Sequence, residues 1–315
     1  SSSIDGDADP TSANHIRNED SMNIGIFSQP ATVDKAVEHA RLFADAGFGS
    51  YWMPQIFGLD TLTALTVVAR EVPDVRLGTA VVPTYPRHPA MLAAQARTLQ
   101  QVADGRFTLG IGLSHQMVIE GMFGMTFDKP VRHLREYLSI LMPLLNGEAA
   151  DFSGETLHGH LSLDIPDSTP VDTLVAALGT QMLNVTARMA QGTATWMTGP
   201  TTIGSHIVPT INRAAAEAGR PTPRVVCALP VCVTDDEAGA RAKAAEEFLV
   251  YGFLPSYRAM LDREGVEGPA DVAIVGDAAS VRAAIERIYE AGATEFVAVP
   301  YDNRDATLEV LAGLL

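Results

Sequence analysis

The chain has 315 residues, of which 47% are hydrophobic, a balance typical of a soluble globular protein. Its formal net charge of -16 argues against nucleic acid as a partner, because phosphate backbones attract proteins with excess lysine and arginine. No apolar run is long enough to cross a bilayer, so the sequence also argues against a membrane partner, and we expect a cytoplasmic location. The length suits one (β/α)8 barrel of ~250 residues with insertions.

The first 21 residues are polar and acidic and show no hydrophobic periodicity. They lack the basic start and apolar stretch of a signal peptide. We interpret residues 1–21 as a disordered tail or a remnant added to the natural chain, with Met22 as the natural start. Residues 22–315 are then expected to form a single domain.

Apolar and β-branched segments alternate with segments of helical periodicity along the rest of the chain. Helices are predicted between the strands, with Thr32, Asp60 or Thr61, and Asp235 or Asp236 as N-caps of three of them. The eight predicted strands are residues 23–27, 50–53, 75–82, 107–111, 171–178, 193–197, 224–233 and 295–299. This alternation predicts a (β/α)8 TIM barrel with insertions, and a doubly wound sheet stays open as the alternative.

Two regions depart from the simple alternation. Residues 121–145 are predicted to form one helix or a broken pair around Pro130. Residues 151–166 are predicted as an insertion with a small hairpin, where His158 and His160 share one face. Two histidines without a third ligand make a weak metal site, so no metal is expected. Cys227 and Cys232 lie in one apolar run and are interpreted as reduced core residues.

The most informative stretch is residues 75–115, which reads as strand, turn, helix and second strand. Two buried strands joined by a helix imply a parallel sheet, and such sheets bind ligands beyond the carboxyl ends of their strands. The second strand leads directly into Ser114 and His115. These two residues therefore belong to the predicted ligand-binding edge.

A second candidate is Gly179-Thr180, between a predicted strand and a predicted helix. Glycine lets a ligand approach the backbone, Thr180 can cap the helix, and the first N–H groups of a helix favour an anion. Judged by spacing alone, an ordinary strand-to-helix turn is the commoner interpretation. The missing third glycine after Gly110-Ile111-Gly112 argues against a Rossmann nicotinamide site, and no serine lies in a Gly-x-Ser-x-Gly elbow.

The motifs LGTAVVP-x-YPRHP-x-x-LAAQA-x-TL and GRFTLGIGLSH resemble the luciferase-like flavin and deazaflavin oxidoreductases. The resemblance is to the luciferase-like monooxygenase superfamily, in its coenzyme F420-dependent branch, and it runs from about Met22 to the C-terminus. It implies a bacterial luciferase-like barrel, coenzyme F420 with FMN as the alternative cofactor, a small-molecule substrate and a homodimer.

The resemblance also implies roles for particular residues. The cofactor phosphate is expected at Gly179 and Thr180, with a wall completed by Gln181, Trp196 and Met197. Ala80 and Val81 are expected to form a cis peptide bulge behind the central ring, where local residue types alone indicate a regular strand. Ser114 is expected to bond a cofactor hydroxyl.

Two further residues bear on the chemistry. His115 occupies a position where sugar-phosphate-oxidising relatives carry a glutamate, and it can donate a hydrogen bond or stay a solvated loop residue. Gln55 stands where several deazaflavin dehydrogenases carry the histidine base of an Asp-His pair. Glutamine cannot take a proton at ordinary pH, which favours substrate reduction over alcohol oxidation. Arg87-His88 is either a functional rim or only a turn.

The sequence therefore predicts an F420-dependent oxidoreductase that passes a hydride from reduced cofactor to an electron-poor organic substrate. The first alternative is an FMN-dependent monooxygenase that uses molecular oxygen on the same fold. The second is a flavin- or deazaflavin-binding protein without turnover, because fold alone does not guarantee activity.

Overall fold

The computed structural model describes residues 22–315, and the expectation for residues 1–21 lies outside that range. The strands are β1 Ile24–Phe27, β2 Ser50–Met53, β3 Arg76–Thr79, β4 Val82–Pro83, β5 Phe107–Gly112, β6 Ala150–Ser153, β7 His158–Leu161, β8 Asp172–Val175, β9 Gly192–Trp196, β10 Arg224–Val233, β11 Ile274–Gly276 and β12 Glu295–Pro300. The helices are α1 Val33–Asp45, α2 Thr61–Glu71, α3 Pro89–Val102, α4 Gln116–Gly121, α5 Pro130–Leu145, α6 Thr180–Met189, α7 Pro200–Thr202, α8 Val208–Glu217, α9 Glu237–Glu247, α10 Pro255–Glu264, α11 Pro269–Val272, α12 Ala278–Glu290 and α13 Arg304–Ala312. A π-helical turn, Ile203–Ile207, joins α7 to α8, and a 3-10 turn, Leu249–Gly252, follows α9.

Eight parallel strands close into a barrel in the order β1, β2, β3, β5, β8, β9, β10 and β12, and β12 pairs again with β1. The short strands β4 and β11 add to the carboxyl halves of β5 and β10. The predicted (β/α)8 barrel is thereby confirmed, and the doubly wound sheet is not the fold. The antiparallel β6–β7 hairpin confirms the hairpin predicted within residues 151–166.

The barrel interior is filled in layers, as expected for this fold. At the amino ends of the strands, Arg224 contacts Asp172 at 3.1 Å and Glu295 at 2.7 Å and closes the floor. Above it, Trp52 packs with Leu174, Val226 and Val297. A Cβ atom on Gly78 would lie 2.2 Å from the Trp52 ring, so this glycine makes the room that the indole fills.

Local capping explains where the predicted helices begin. Thr32 accepts a hydrogen bond from the Lys35 N–H, and Asp60 accepts one from the Thr63 N–H. Asp236 caps α9 in the same way. A helix N-terminus leaves its first N–H groups without intrahelical partners, and these side chains satisfy some of them.

The structure corrects several predicted boundaries. The predicted third strand, residues 75–82, is divided into β3 and β4 by a bulge at Ala80 and Val81. The predicted fifth strand is shorter, ending at Val175. Within residues 121–145 the structure has one helix, α5 from Pro130, because α4 already ends at Gly121; the single-helix option therefore holds with a later start, and the broken pair is not observed. β11 and α11 were not predicted because their apolar runs are too short to show a period.

Both cysteines are buried and free, as predicted. Among the helices of residues 22–315, none combines the length and apolar composition needed to cross a membrane.

Candidate active site

The carboxyl end of the barrel is open. The uppermost layer consists largely of small side chains, Ala80, Ala194 and Ala228, together with Phe27, and all four are partly exposed although they lie among the strands. Small residues leave space that the larger Trp52 layer below does not. The mouth of the barrel is therefore a depression with a floor of packed apolar side chains.

One wall of this depression is the bulge between β3 and β4. The peptide bond between Ala80 and Val81 is cis, which confirms the conformation expected from the resemblance. The Ala80 N–H donates to the Met53 carbonyl at 2.9 Å. The bulge presses so closely on β5 that a Cβ on Gly110 would lie 1.9 Å from the Thr79 oxygen. A glycine at this position of β5 is thus a requirement of the bulge.

Ser114 and His115 lie at the carboxyl end of β5 and are both half-buried. Ser114 has a φ of 61°, a left-handed conformation that turns the chain out of the strand. His115 precedes α4 and makes no capping hydrogen bond with its side chain. Burial lowers the pKa of His115, so its imidazole is neutral at pH 7 and offers one donor and one acceptor nitrogen.

An arc of aromatic rings bounds the opposite side of the mouth. The ring of Trp196 lies 5.8 Å from that of Tyr251, which lies 5.1 Å from Tyr257. Tyr257 in turn lies 5.8 Å from His115. Burial raises the pKa of both tyrosines, which are neutral phenols at pH 7. The segment after β10 therefore reaches over the barrel and contacts the end of β5.

The rim around the mouth is strongly apolar. Of the twelve exposed large apolar side chains in residues 22–315, nine lie on three segments at the carboxyl face, which follow β2, β5 and α9 and include α4 and the 3-10 turn. Exposed apolar surface concentrated in one place marks a binding site more often than scattered residues do. The nine are Ile56, Phe57, Met117, Met122, Phe123, Met125, Leu249, Val250 and Phe253.

Two neighbouring strand-to-helix junctions differ in their capacity for an anion. At the first, α6 begins after Gly179, no side chain caps its N-terminus, and Gly179, Thr180 and Gln181 are exposed. At the second, Gly199 is buried and the Glu264 carboxylate accepts from the Thr201 N–H at 3.1 Å and the Thr202 N–H at 2.7 Å. Glu264 already occupies the second junction, which leaves the α6 N-terminus as the open one.

Two predicted site residues, Thr180 and Met197, behave differently from the expectation. Gly179 is the N-cap and Thr180 is the first helical residue, so the Thr180 side chain does not cap the helix, because Gly179 already has the extended backbone that an N-cap needs. Met197 has no exposed surface and packs in the core, so it offers no atom to the mouth. Trp196, by contrast, is half-buried at the mouth, where it was placed.

The Gln55 side chain is committed to its own loop. Its Oε1 accepts from the Thr61 N–H at 2.8 Å, and its Nε2 donates to the Ile56 and Leu59 carbonyls at 3.4 Å. These bonds hold the loop after β2 against the start of α2. Gln55 therefore shapes one rim of the mouth, and a contact with substrate stays a prediction.

The remaining histidine motifs have structural partners. Arg87 pairs with Asp60, and His88 caps α3 through the Ala90 N–H at 3.2 Å. His158 and His160 lie exposed on the β6–β7 hairpin. Across residues 22–315 no group of three or more His, Cys, Asp or Glu could hold a metal ion.

Sequence reasoning missed Glu264, the two tyrosines of the aromatic arc and His206. His206 lies on the π-helical turn, and its Nε2 is 2.8 Å from the Leu178 carbonyl, next to Gly179. None of these residues belongs to a motif with fixed spacing. For Glu264 the sequence offers one indirect signal, the buried Gly199. A Cβ at this position would lie 2.4 Å from Glu264 Oε1, so a larger residue would collide with the carboxylate.

Comparisons with known proteins agree with this architecture. A family model described as luciferase-like monooxygenase matches residues 14–295. The 5,10-methylenetetrahydromethanopterin reductase of Methanolobus tindarius is 27% identical over 260 residues, which cover 82% of this chain and 79% of the relative. A Mycobacterium tuberculosis protein with the provisional name coenzyme F420-dependent oxidoreductase is 27% identical over 257 residues, covering 74% of this chain and 72% of the relative.

Solved structures share the fold at lower identity. The coenzyme F420-dependent tetrahydromethanopterin reductase from Methanopyrus kandleri superposes with a TM-score of 0.78 at 21% identity, covering 94% of this chain and 98% of that one. The oxygenating constituent of 3,6-diketocamphane monooxygenase from Pseudomonas putida, in complex with FMN, gives a TM-score of 0.71 at 17% identity, covering 93% of this chain and 96% of that one. At these identities both similarities show a shared fold and nothing more.

Proposed function

Because the chain belongs to the luciferase-like monooxygenase family, we propose that it is an oxidoreductase that uses coenzyme F420. The observation that carries the proposal is the uncapped N-terminus of α6 beside the open barrel mouth. It fits a ligand with an anionic group at one end and a flat ring system at the other. The similar proteins from Mycobacterium tuberculosis and Methanopyrus kandleri both have names that include dependence on coenzyme F420, which favours F420 over FMN.

In this proposal the backbone N–H groups after Gly179 hold the phosphate of the cofactor. The bulge at Ala80 and Val81 supports the ring system, and Trp196 and Gln181 line the path between ring and phosphate. Ser114 bonds a hydroxyl group of the side chain. Bound there, the reduced deazaflavin supplies a hydride, and the protein contributes placement and exclusion of water.

The proposed reaction reduces an electron-poor organic acceptor by two electrons. A hydride adds to the acceptor carbon, and a proton from solvent completes the addition. His115 is neutral at pH 7 and donates a hydrogen bond to the acceptor oxygen, which stabilises the negative charge that develops there. The apolar rim favours an acceptor with a large apolar part.

We also propose a homodimer, as the resemblance implies. Outside the mouth, the exposed large apolar side chains of the described residues are Leu42, Val67 and Met91, on the three successive helices α1 to α3. Sedimentation velocity measures the mass directly, and a monomer at micromolar concentration contradicts this part of the proposal.

The test combines a spectral titration with an oxygen measurement. The purified protein is titrated with F420 and with FMN, and reduced F420 is then supplied with a panel of activated enones and imines. We expect tighter binding of F420 and oxidation of the reduced cofactor without oxygen uptake. Stoichiometric oxygen uptake with FMN and no binding of F420 would move the assignment to an FMN monooxygenase. Binding without turnover on every acceptor would support the non-catalytic alternative.

A further inference from the structure

Two polar side chains without partners meet at the barrel mouth. The ring of Tyr257, on α10, lies 5.8 Å from the imidazole of His115, and neither side chain forms a hydrogen bond with another described residue. We propose that Tyr257 donates the proton that completes the reduction, and that the acceptor is an α,β-unsaturated carbonyl compound. The inference rests on the proposed function and deepens it by naming a proton donor and a substrate class.

The hydroxyl group of Tyr257 is open to a ligand. The side chain is half-buried, and its oxygen is not among the fully enclosed polar atoms that lack a partner in residues 22–315. Its ring lies between those of Tyr251 and His115, which both border the mouth, so the oxygen faces space that water or a substrate fills. The Tyr85 hydroxyl is the contrast, since it also lacks a partner but is completely enclosed.

The helix that carries Tyr257 is fixed at both ends. Glu264, the last residue of α10, accepts hydrogen bonds from the N–H groups of Thr201 and Thr202 at the end of β9. At the first turn of α10, the ring of Tyr251 meets that of Tyr257 edge-on at 5.1 Å. A proton donor acts only when it is held close to the productive geometry, and these contacts restrict the Tyr257 ring in that way.

The two side chains offer a substrate different groups. His115 is neutral at pH 7, because burial lowers its pKa, and a neutral imidazole can donate one hydrogen bond to a carbonyl oxygen. Tyr257 is neutral as well, because burial raises its pKa, so its O–H keeps the proton throughout the neutral range. A carbonyl oxygen and the neighbouring α-carbon lie about 2.4 Å apart, so one small group can contact both side chains.

An α,β-unsaturated carbonyl compound uses both groups in one reaction. A hydride, carrying two electrons from the reduced cofactor, adds to the β-carbon, and the C=C electron pair moves to form an enolate whose oxygen accepts a hydrogen bond from His115. The α-carbon then takes the proton of Tyr257 as the C=O bond forms again, and the tyrosinate regains a proton from solvent. An enolate carbon is a much stronger base than a phenolate, so this transfer is downhill despite the raised pKa.

Other electron-poor acceptors would use only one of the two groups. An imine or a simple ketone takes its single proton on the nitrogen or oxygen that also receives the hydrogen bond, and its neighbouring carbon needs none. A donor for the heteroatom beside a second donor for the adjacent carbon is therefore the arrangement that suits an enone or an enal.

The experiment follows the stereochemistry of protonation. In heavy water, reduced F420 is supplied with an enone that carries a methyl group on its α-carbon, so that this carbon becomes a stereocentre in the product. We expect the wild type to place deuterium on one face of it. Tyr257→Phe keeps the ring but lacks the proton, so turnover should fall at least roughly tenfold. Its product should approach a racemate, because solvent protonates either face.

Tyr85→Phe is the matched control, because it removes a hydroxyl that is enclosed beside the stacked ring of His133 and that no substrate reaches. Its turnover and stereochemistry should be those of the wild type. A second measurement needs no cofactor: the apoprotein is titrated with para-nitrophenolate, whose oxygen resembles that of an enolate, and absorbance gives a dissociation constant. Loss of one hydrogen-bond donor to an anion should raise this constant roughly tenfold in Tyr257→Phe and leave it unchanged in Tyr85→Phe.

The outcomes separate the inference from the proposed function. A racemic product from the wild type, or unchanged stereochemistry in Tyr257→Phe, overturns the proton donor and leaves the F420-dependent reduction intact. If no acceptor oxidises reduced F420, the proposed function falls. Equal affinity of the wild type and Tyr257→Phe for para-nitrophenolate would then overturn the role of Tyr257 as well, whereas weaker binding by the variant would keep it as a donor to an anionic ligand.

Discussion

Gly179→Asp separates the stability of α6 from its capacity to bind an anion. Gly179 has φ -75° and ψ 151°, a conformation open to any residue, and a Cβ there would meet no other atom within 4 Å. Aspartate is a better N-cap than glycine by a few tenths of a kcal/mol, and its charge interacts favourably with the helix N-terminus. The free energy of unfolding should therefore stay the same or rise by up to about 1 kcal/mol.

Binding should change in the opposite direction. The new carboxylate would satisfy the N–H groups that the cofactor phosphate needs and would repel the phosphate. Two like charges about 4 Å apart repel by about 1 kcal/mol in water and about 4 kcal/mol near a protein surface. We therefore expect the dissociation constant for F420 to rise at least tenfold, which corresponds to about 1.4 kcal/mol.

The assay pairs urea unfolding with a fluorescence titration of F420. Gly179→Asn is the control, since asparagine caps a helix as well as aspartate without adding charge. It should have the stability of Gly179→Asp and a smaller loss of affinity. If Gly179→Asp binds F420 as tightly as the wild type, the phosphate does not lie at this junction and the placement is refuted.

Three further predictions concern other parts of the site and core. His115→Ala should lower turnover at least tenfold with a stability loss below about 1 kcal/mol, and a large fall in melting temperature would show that His115 is structural. Burial lowers the pKa of His133 to about 4, below the unfolded value of about 6.5, so stability should fall as the pH drops from 7 towards 4. Urea unfolding at several pH values should show that His133→Phe reduces this pH-dependent loss of stability by on the order of 1–2 kcal/mol, a value discounted because the ring is partly exposed. The same pH dependence in the variant and the wild type would contradict the prediction. Gly78→Ala should destabilise by about 1–3 kcal/mol because its Cβ would meet the Trp52 ring, whereas Gly58→Ala, where no atom lies within 4 Å, should change stability little.

The barrel was predictable because each of its eight strands is a short apolar segment followed by a helix with a clear period. The first residues of α2 and α9 were also predictable from Asp60 and Asp236, because an N-cap side chain bonds an N–H group only three residues further along the chain. β11 has only three residues, Ile274–Gly276, and its place is fixed by pairing with β10 rather than by its own sequence. Local pattern cannot predict such a strand.

The site was predictable only where a motif carried it. His115 and Gly179 follow strands directly, so their position at the barrel mouth is a consequence of topology. Glu264 lies more than sixty residues from the N–H groups that it contacts, and nothing around it in the sequence differs from an ordinary helix end. Tyr257 likewise reaches His115 only because the segment after β10 folds over the mouth.

The ionic floor around Arg224 means that the barrel has one entrance. In the proposed function, cofactor and acceptor must then pass through the same opening, and a cofactor ring that lies against the bulge below the acceptor must arrive first. Steady-state rates should follow an ordered sequence with the cofactor leading: double-reciprocal plots should intersect, as in any sequential mechanism, and the inhibition pattern should give the order. An acceptor that enters an empty barrel blocks the way in, so excess acceptor should inhibit in competition with the cofactor.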